Sequence, residues 1–363
     1  MNVIPTTLTR YFALRFLGAV TAVFAGVFAL VVLIDYVEMS RRAADLPSAS
    51  TFTLAMISFY RVPQLTERIL PFAVLVGAMS CYLTLSRRLE LVVARSAGVS
   101  AWQFVAPAMI VAFLIGVLAV TLYNPLSSNL REQSKRMEAA LFGGDKAKDQ
   151  TGGFWLRQRG ADGQAIINAA SSRGQGVSLD GVTVFTFDAS GQFKERIEAK
   201  SAELESGHWR LAGARLYSIG APPDQRETYL LPTSLTAEQV RESFATPETV
   251  SFWQLPQYIL TAEQSGLAAA GYRLQYQLLL ARPFFLAAMV LLAASVSLRF
   301  FRFGGILRMI LSGITAGFLL YVLSKVTEDV SKAELMHPVA AAWAPMLIGG
   351  LIGIVALLYQ EDG

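Results

Sequence analysis

Side chains able to do covalent chemistry are scarce in this chain, which has one cysteine and two histidines among 363 residues. Cys81 lies in an apolar run, where a thiol serves as a small packing group and has no second cysteine to bond. His208 and His337 are too few for a histidine-rich metal site, so no metal ligands are expected. No Gly-Lys pair occurs, which removes the lysine-bearing phosphate loop of nucleotide hydrolases. Gly98-Val-Ser100 lacks the second glycine of a nucleophile elbow. The chain is therefore expected to be non-catalytic and to hold no cofactor of its own.

What remains is charge recognition, at two places. Ser86-Arg-Arg-Leu-Glu-Leu-Val-Val-Ala-Arg-Ser-Ala-Gly-Val-Ser100 carries one carboxylate, Glu90, between Arg88 and Arg95. Lipid binding gains nothing from a carboxylate, so Glu90 suits docking onto a basic partner. An interfacial helix with anionic lipid at its arginines stays open on spacing alone. The second place is Asp35-Tyr-Val-Glu-Met-Ser-Arg-Arg42, whose paired guanidiniums can grip an anionic headgroup or simply anchor a helix end.

Both stretches border long apolar blocks. At 53% hydrophobic and 16% charged, the chain is too apolar for a soluble protein and reads as an integral membrane protein. A helix needs about 20 apolar residues to cross roughly 30 Å of hydrocarbon. Spans are predicted at Phe12–Ile34, at Ile69–Leu85 with a backward extension through Val62, and at Trp102–Leu122. Three more fall at Leu278–Leu298, Ile306–Leu323 and Val339–Tyr359, and Pro283 is expected to kink the fourth. No acidic residue is read deep in any span, which argues against an ion- or proton-coupled carrier. The first block lacks a cleavage pattern and is expected to be retained, and neither end resembles a lipid anchor.

Six spans place both termini on one side, with Arg10, Arg15, Arg87, Arg88, Arg95, Arg299, Arg302 and Arg308. Opposite lie Arg41, Arg42, Arg61, Arg68, Lys325 and Lys332, and eight against six favours cytoplasmic termini.

The polar interval from Gly143 to Val250 has a different texture. Val182–Phe187, Phe193–Ala199, His208–Leu211 and Ala214–Ile219 read as strands, with turns at Asp162-Gly163, Asp180-Gly181, Ser190-Gly191 and Ser206-Gly207. This is an antiparallel β domain of sandwich or jelly-roll type, outside the membrane. Trp155, Phe185, Phe187 and Trp209 are expected in its core. The predicted organisation is spans one to three in 1–142, the β domain in 143–250, a helical connector in 251–277 and spans four to six in 278–363.

Glu90 is expected on a short helix over Arg87–Ala97 that exposes Arg88, Glu90, Arg95 and Ser96 and turns Leu89, Val92, Val93 and Ala97 towards the membrane or the bundle. Gly98 ends that helix, and Ser100 with Gln103 forms a capping box that starts the third span. Gly18, Ala22 and Gly26 in span one and Gly313 and Gly317 in span five are small residues that allow close but movable helix packing.

Several stretches together carry a family resemblance. They are Ile69-Leu-Pro-Phe-Ala-Val-Leu-Val-Gly-Ala78, the Ser86–Gly98 segment, Gly152-Gly-Phe-Trp-Leu156, Ser251-Phe-Trp-Gln-Leu255, Gly271-Tyr-Arg-Leu274 and Pro283. In this order the chain resembles the LptF/LptG family of lipopolysaccharide export permeases, and within it the LptG branch.

The resemblance implies an α-helical polytopic membrane protein of the bacterial inner membrane, with six transmembrane helices and an inserted periplasmic antiparallel β-jelly-roll domain. It implies a permease subunit of an ATP-driven transporter that extracts lipopolysaccharide from the outer leaflet and passes it to a periplasmic bridge. Implied partners are a homologous sister permease (LptF-like), two copies of an ATPase subunit (LptB-like) that carry the ATP and Mg, and a bitopic periplasmic acceptor (LptC-like). No nucleic-acid partner is expected.

By resemblance Glu90, with Arg88 and Arg95, docks the ATPase, and Arg41, Arg42 and Arg136 contact the lipopolysaccharide headgroup. Gly18, Ala22, Gly26, Gly313 and Gly317 line lateral gates. Asp35 departs from the family pattern, which is basic there. A lipoprotein-release or mechanotransmission permease, marked by four spans, and a membrane scaffold presenting a β domain are the alternatives.

Overall fold

The computed structural model of the chain describes residues 6–44, 50–142, 154–160, 163–173, 176–188, 190–218, 220, 222–233, 235–237, 240, 247–264, 269–301 and 306–361. Two compact units emerge, one of Met1–Lys135, Ser251–Trp253 and Arg273–Gly363, the other of Arg136–Val250 and Gln254–Tyr272. The connector expected at 251–277 is thus divided between them.

In the first unit, α1 (Thr6–Arg42) and α2 (Thr51–Arg87) are followed by the short α3 (Glu90–Ser96) and by α4 (Ala101–Leu118). A π-helical turn, Ala119–Tyr123, leads into α5 (Asn124–Phe142), which belongs to the first unit through Lys135 and to the second from Arg136. After the β domain come α6 (Leu255–Gln264), which belongs to the second unit, α7 (Ala270–Phe301), α8 (Ile306–Lys332) and α9 (Pro338–Glu361). Among the described residues, six helical stretches are long and apolar enough to cross a membrane, the expected number and not four. At 37 residues each, α1 and α2 run roughly 55 Å at 1.5 Å per residue, well beyond the hydrocarbon. Their polar ends are why sequence boundaries drawn on apolar runs fall short. α7 continues through Pro283.

Lipid is as apolar as leucine, so these helices are held by close packing more than by escape from water. Phe12, Phe16 and Val20 of α1 lie in one core with Val74, Ala78 and Tyr82 of α2 and Phe104 and Ala108 of α4. Gly77 makes the α1–α2 crossing possible, because a Cβ there would stand 2.8 Å from the Val20 Cα. Gly116 of α4 lies so close to Pro283 of α7 that no side chain fits.

The second unit contains the expected antiparallel domain. Six strands pair in sequence order: β1 (Phe154–Gly160), β2 (Gly163–Arg173), β3 (Ser178–Phe187), β4 (Phe193–Glu205), β5 (His208–Ser218) and β6 (Asp224–Pro232). Alternate residues such as Leu156, Ile167, Val184, Ile197, Leu211 and Leu231 share the buried face, joined by Leu235 and Val240 from beyond β6. The edges are β1 and β6, and at one point Gln158 bridges them, donating to the Pro232 carbonyl at 3.0 Å and accepting from Thr233 Oγ1 at 2.6 Å.

Asp180-Gly181, expected as a turn, lies inside β3. Gly181 sits at φ +62° and Gly213 of β5 at φ +64°, on either side of Lys200, so positive-φ kinks line up across the middle of the sheet and let it curl. Trp209 is fully buried as expected, but Trp155 is 63% exposed on the edge strand. Phe185 and Phe187 are half-buried. Gly152, Asp162 and Arg302 lie outside the described residues.

Candidate functional site

The corner around Glu90 is built differently from expectation. α2 runs on through Arg87, and the chain then turns at Leu89, whose φ of +60° is the left-handed region that costs a non-glycine residue about 1–2 kcal/mol. α3 therefore starts at Glu90 and not at Arg87. Leu91 is its one buried residue and joins the core, while Leu89, Val92 and Val93 are 58%, 42% and 65% exposed. Gly98 at φ +83° ends the segment, and Gln103 Oε1 accepts the Ser100 N–H at 3.0 Å in the expected capping box.

Two of the three docking candidates touch their own spans. Glu90 Oε2 accepts from the Tyr11 hydroxyl of α1 at 2.8 Å, and that hydroxyl accepts from Arg15 Nε at 3.1 Å. The Arg95 guanidinium lies 5.9 Å from the centre of the Phe104 ring on α4, a cation–π distance. Arg88 is exposed. A half-open cleft of about 300 Å³ lies here, lined by Leu14, Arg15, Gly18, Cys81, Arg88 and Glu90 among others.

At the far end of α1, Arg41 and Arg42 share one counter-ion. Glu38 accepts from Arg41 at 2.7 Å and from Arg42 at 2.9 Å, and both guanidiniums stay largely exposed. Arg41 stands 26 residues beyond Arg15, roughly 40 Å along the helix, enough to put the two groups at opposite faces of a bilayer. Asp35 pairs with Arg61 of α2 at 3.5 Å, so the unexpected acid has a basic partner on the neighbouring span. Arg136 is an exposed residue of α5 in the second unit.

The small residues divide into two kinds. A Cβ at Gly18 or Gly26 would meet nothing within 4 Å, and Ala22 is exposed, so this face of α1 is left open. Gly313 and Gly317 instead receive Met79 and Leu75 of α2 and lock α8 onto its own bundle.

Glu67 is an acid enclosed within the helical bundle. It sits mid-α2, 5% exposed, and pairs with Arg282 of α7. Its Oε1 also accepts from Asn124 Nδ2 at 3.1 Å, and its Oε2 from Ser127 Oγ at 2.9 Å. With Nδ2 committed to Glu67, the Asn124 carbonyl oxygen takes the Phe252 backbone N–H at 2.8 Å. Trp253 Nε1 donates to the Thr121 carbonyl at 3.1 Å within the π-helical turn, where wider spacing frees carbonyls from the helical ladder. Arg68 and Arg61 bracket Glu67 and suggest an interface, and the 215-residue separation from Arg282 leaves no sequence signal for the pairing.

Among the described residues, six membrane-length helices interrupted by an antiparallel β domain define a multi-pass membrane protein. Residues 10–359 match the sequence profile described as lipopolysaccharide export system permease LptF/LptG, and the chain belongs to that family. It is 23% identical over 341 residues to the lipopolysaccharide export system permease protein LptG of Escherichia coli strain K12, covering 91% of each chain. It is 24% identical over 361 residues to the protein of that name from Haemophilus influenzae, covering 94% of this chain and 95% of the relative. Multi-pass inner-membrane residence fits both findings.

Proposed function

We propose that the chain is the LptG-like permease of an ATP-driven lipopolysaccharide exporter, paired with a sister permease and driven by two copies of a separate ATPase that holds ATP and Mg. Both termini and α3 face the cytoplasm, and the β domain lies in the periplasm, where a bitopic acceptor receives the lipid.

The observation that carries this reading is the surface of α3. Leu89, Val92 and Val93 stand out from the bundle beside Glu90, whose Oε1 has no hydrogen-bond partner among the described residues. Exposed aliphatic side chains around a half-exposed acid favour an apolar slot with a basic residue at its edge, the combination of buried anchor and charged rim that gives protein interfaces affinity and register. Arg88 and Arg95 flank that contact. At the other end of α1, Arg41 and Arg42 supply cations for the phosphorylated headgroup. Arg136, in the second unit, is a headgroup cation by family resemblance alone. The open face of Gly18, Ala22 and Gly26 is where the sister permease closes a lateral gate. Gly313 and Gly317 serve that gate indirectly, by fixing α8 on α2.

The test is co-purification in detergent of a tagged ATPase with this chain and its sister. Wild type should be retained and Glu90→Arg lost, with partial recovery when an acid is placed on the ATPase. Retention of Glu90→Arg at wild-type level would refute docking through Glu90.

A further inference from the structure

Glu90 does more in this structure than face outward. Tyr11 has one proton to donate, and an arginine can only donate. Since Arg15 Nε donates to the Tyr11 oxygen, the phenol proton is directed to Glu90 Oε2, and the carboxylate is left with Oε1 for any external cation. The Arg15 guanidinium also lies 5.3 Å from the centre of the Tyr11 ring, which holds the phenol from its face as well as its edge. The neighbouring residue, Phe12, is buried in the core of the first unit, so Tyr11 is presented by a fixed part of α1.

We infer that Tyr11 is a positioning residue that ties the coupling helix α3 to span one, so that a force applied to Glu90 by the ATPase is delivered directly to the helix carrying the open gate face. The inference rests on the docking role of Glu90. One carboxylate serves both links through different oxygens, so the motor pulls on α1 without first releasing it. Arg15 directs the tyrosine proton and is the second member of the link.

The experiment uses the whole complex of two permeases and the ATPase in proteoliposomes. Cys81→Ser removes the native thiol, and Gly26→Cys carries a spin label on the open face of α1. Tyr11→Phe should still co-purify with the ATPase and keep basal hydrolysis within about twofold. The lipopolysaccharide-stimulated increment should fall about tenfold, the factor carried by one lost hydrogen bond to a charged group. The ATP-induced change at the label should vanish with it. Arg15→Gln, which leaves the phenol free to donate but undirected, should fall between Tyr11→Phe and wild type.

An ATP-induced label change and stimulation at wild-type level in Tyr11→Phe would overturn the link. Loss of co-purification by Tyr11→Phe would overturn it too, because Tyr11 would then be shaping the docking surface. Failure of the docking reading shows separately, as Glu90→Arg that still co-purifies.

Discussion

Replacing Glu67 by leucine removes one carboxylate and strands two donors. Arg282 loses its counter-ion and Asn124 Nδ2 loses its acceptor, while Ser127 Oγ retains the Asn124 backbone carbonyl at 2.9 Å. Breaking a buried pair from one side costs about 3–5 kcal/mol. Arg282 keeps 18% of its side chain exposed and can recover part of its solvation, so the lower end, about 3 kcal/mol, is expected. Arg282→Leu should cost about as much, because it leaves the carboxylate with neutral donors only. The double change Glu67→Leu with Arg282→Leu leaves no buried charge, and its main cost is the Asn124 amide, about 1–2 kcal/mol. The double variant should thus be more stable than either single one. Reversible unfolding in mixed micelles, read as a double-mutant cycle, measures this. If the double loss equals the sum of the single losses to within about 0.5 kcal/mol, the pair carries no coupling energy and the reasoning fails. As a second readout, Ser251→Cys in a Cys81→Ser background should label faster once Glu67 is lost, since Ser251 adjoins the Phe252 backbone bond and is buried.

Glu38→Gln should release Arg41 and Arg42 and modestly tighten binding of an anionic lipid headgroup, an effect that solvent screening of these exposed pairs keeps small and that added salt should erase. Arg41→Glu with Arg42→Glu should lower lipopolysaccharide-stimulated hydrolysis more than basal hydrolysis, whereas equal losses would indicate misfolding. Gly317→Leu should destabilise the isolated chain by about 1–3 kcal/mol through overpacking against Leu75, while Gly18→Leu should leave its melting unchanged and act on pairing with the sister permease. In the β3–β4 hairpin, the Ser190 hydroxyl and then backbone N–H groups hold the Asp188 carboxyl below its usual value. A lowered folded value gives stability that is present above the unfolded pKa and lost as pH falls through the folded one. Amide exchange at Ser190 and Gln192 should therefore quicken on acidification below the ordinary aspartate range, and Asp188→Asn should abolish that pH dependence.

The six spans were legible because hydropathy in blocks of about 20 residues is a strong signal. The β domain was legible because β-branched and aromatic alternation is interrupted by Ser-Gly turns. Asp180-Gly181 misled because a glycine at positive φ serves a kink inside a strand as well as it serves a turn, and local sequence does not distinguish them. The start of the short helix was placed too early, at Arg87. The apolar pattern runs through Leu89 without a break, and the left-handed φ of Leu89, which local sequence does not display, moves that start to Glu90. Glu67 was passed over because Arg61 and Arg68 break the apolar run around it, and no spacing rule connects α2 to α7. Glu38 stood in view between Asp35 and Arg41, but helical periodicity gives only the chance of its double pairing, at three and four residues.

Span one joins the two recognition ends of the molecule, and its attachments decide what it can transmit. The steric lock between Val20 and Gly77 prevents α1 from sliding along α2 without opening the crossing. Tyr11 lies nine residues to one side of that lock and Arg41 twenty-one to the other, roughly 14 and 32 Å along a rigid helix. A tilt about the crossing would therefore move the cationic end about twice as far as the end tied to Glu90. The far part of α1 is held to α2 by several contacts: Asp35 pairs with Arg61 at 3.5 Å, Phe28 meets Phe59 edge to face, and Met39 and Ala43 are buried.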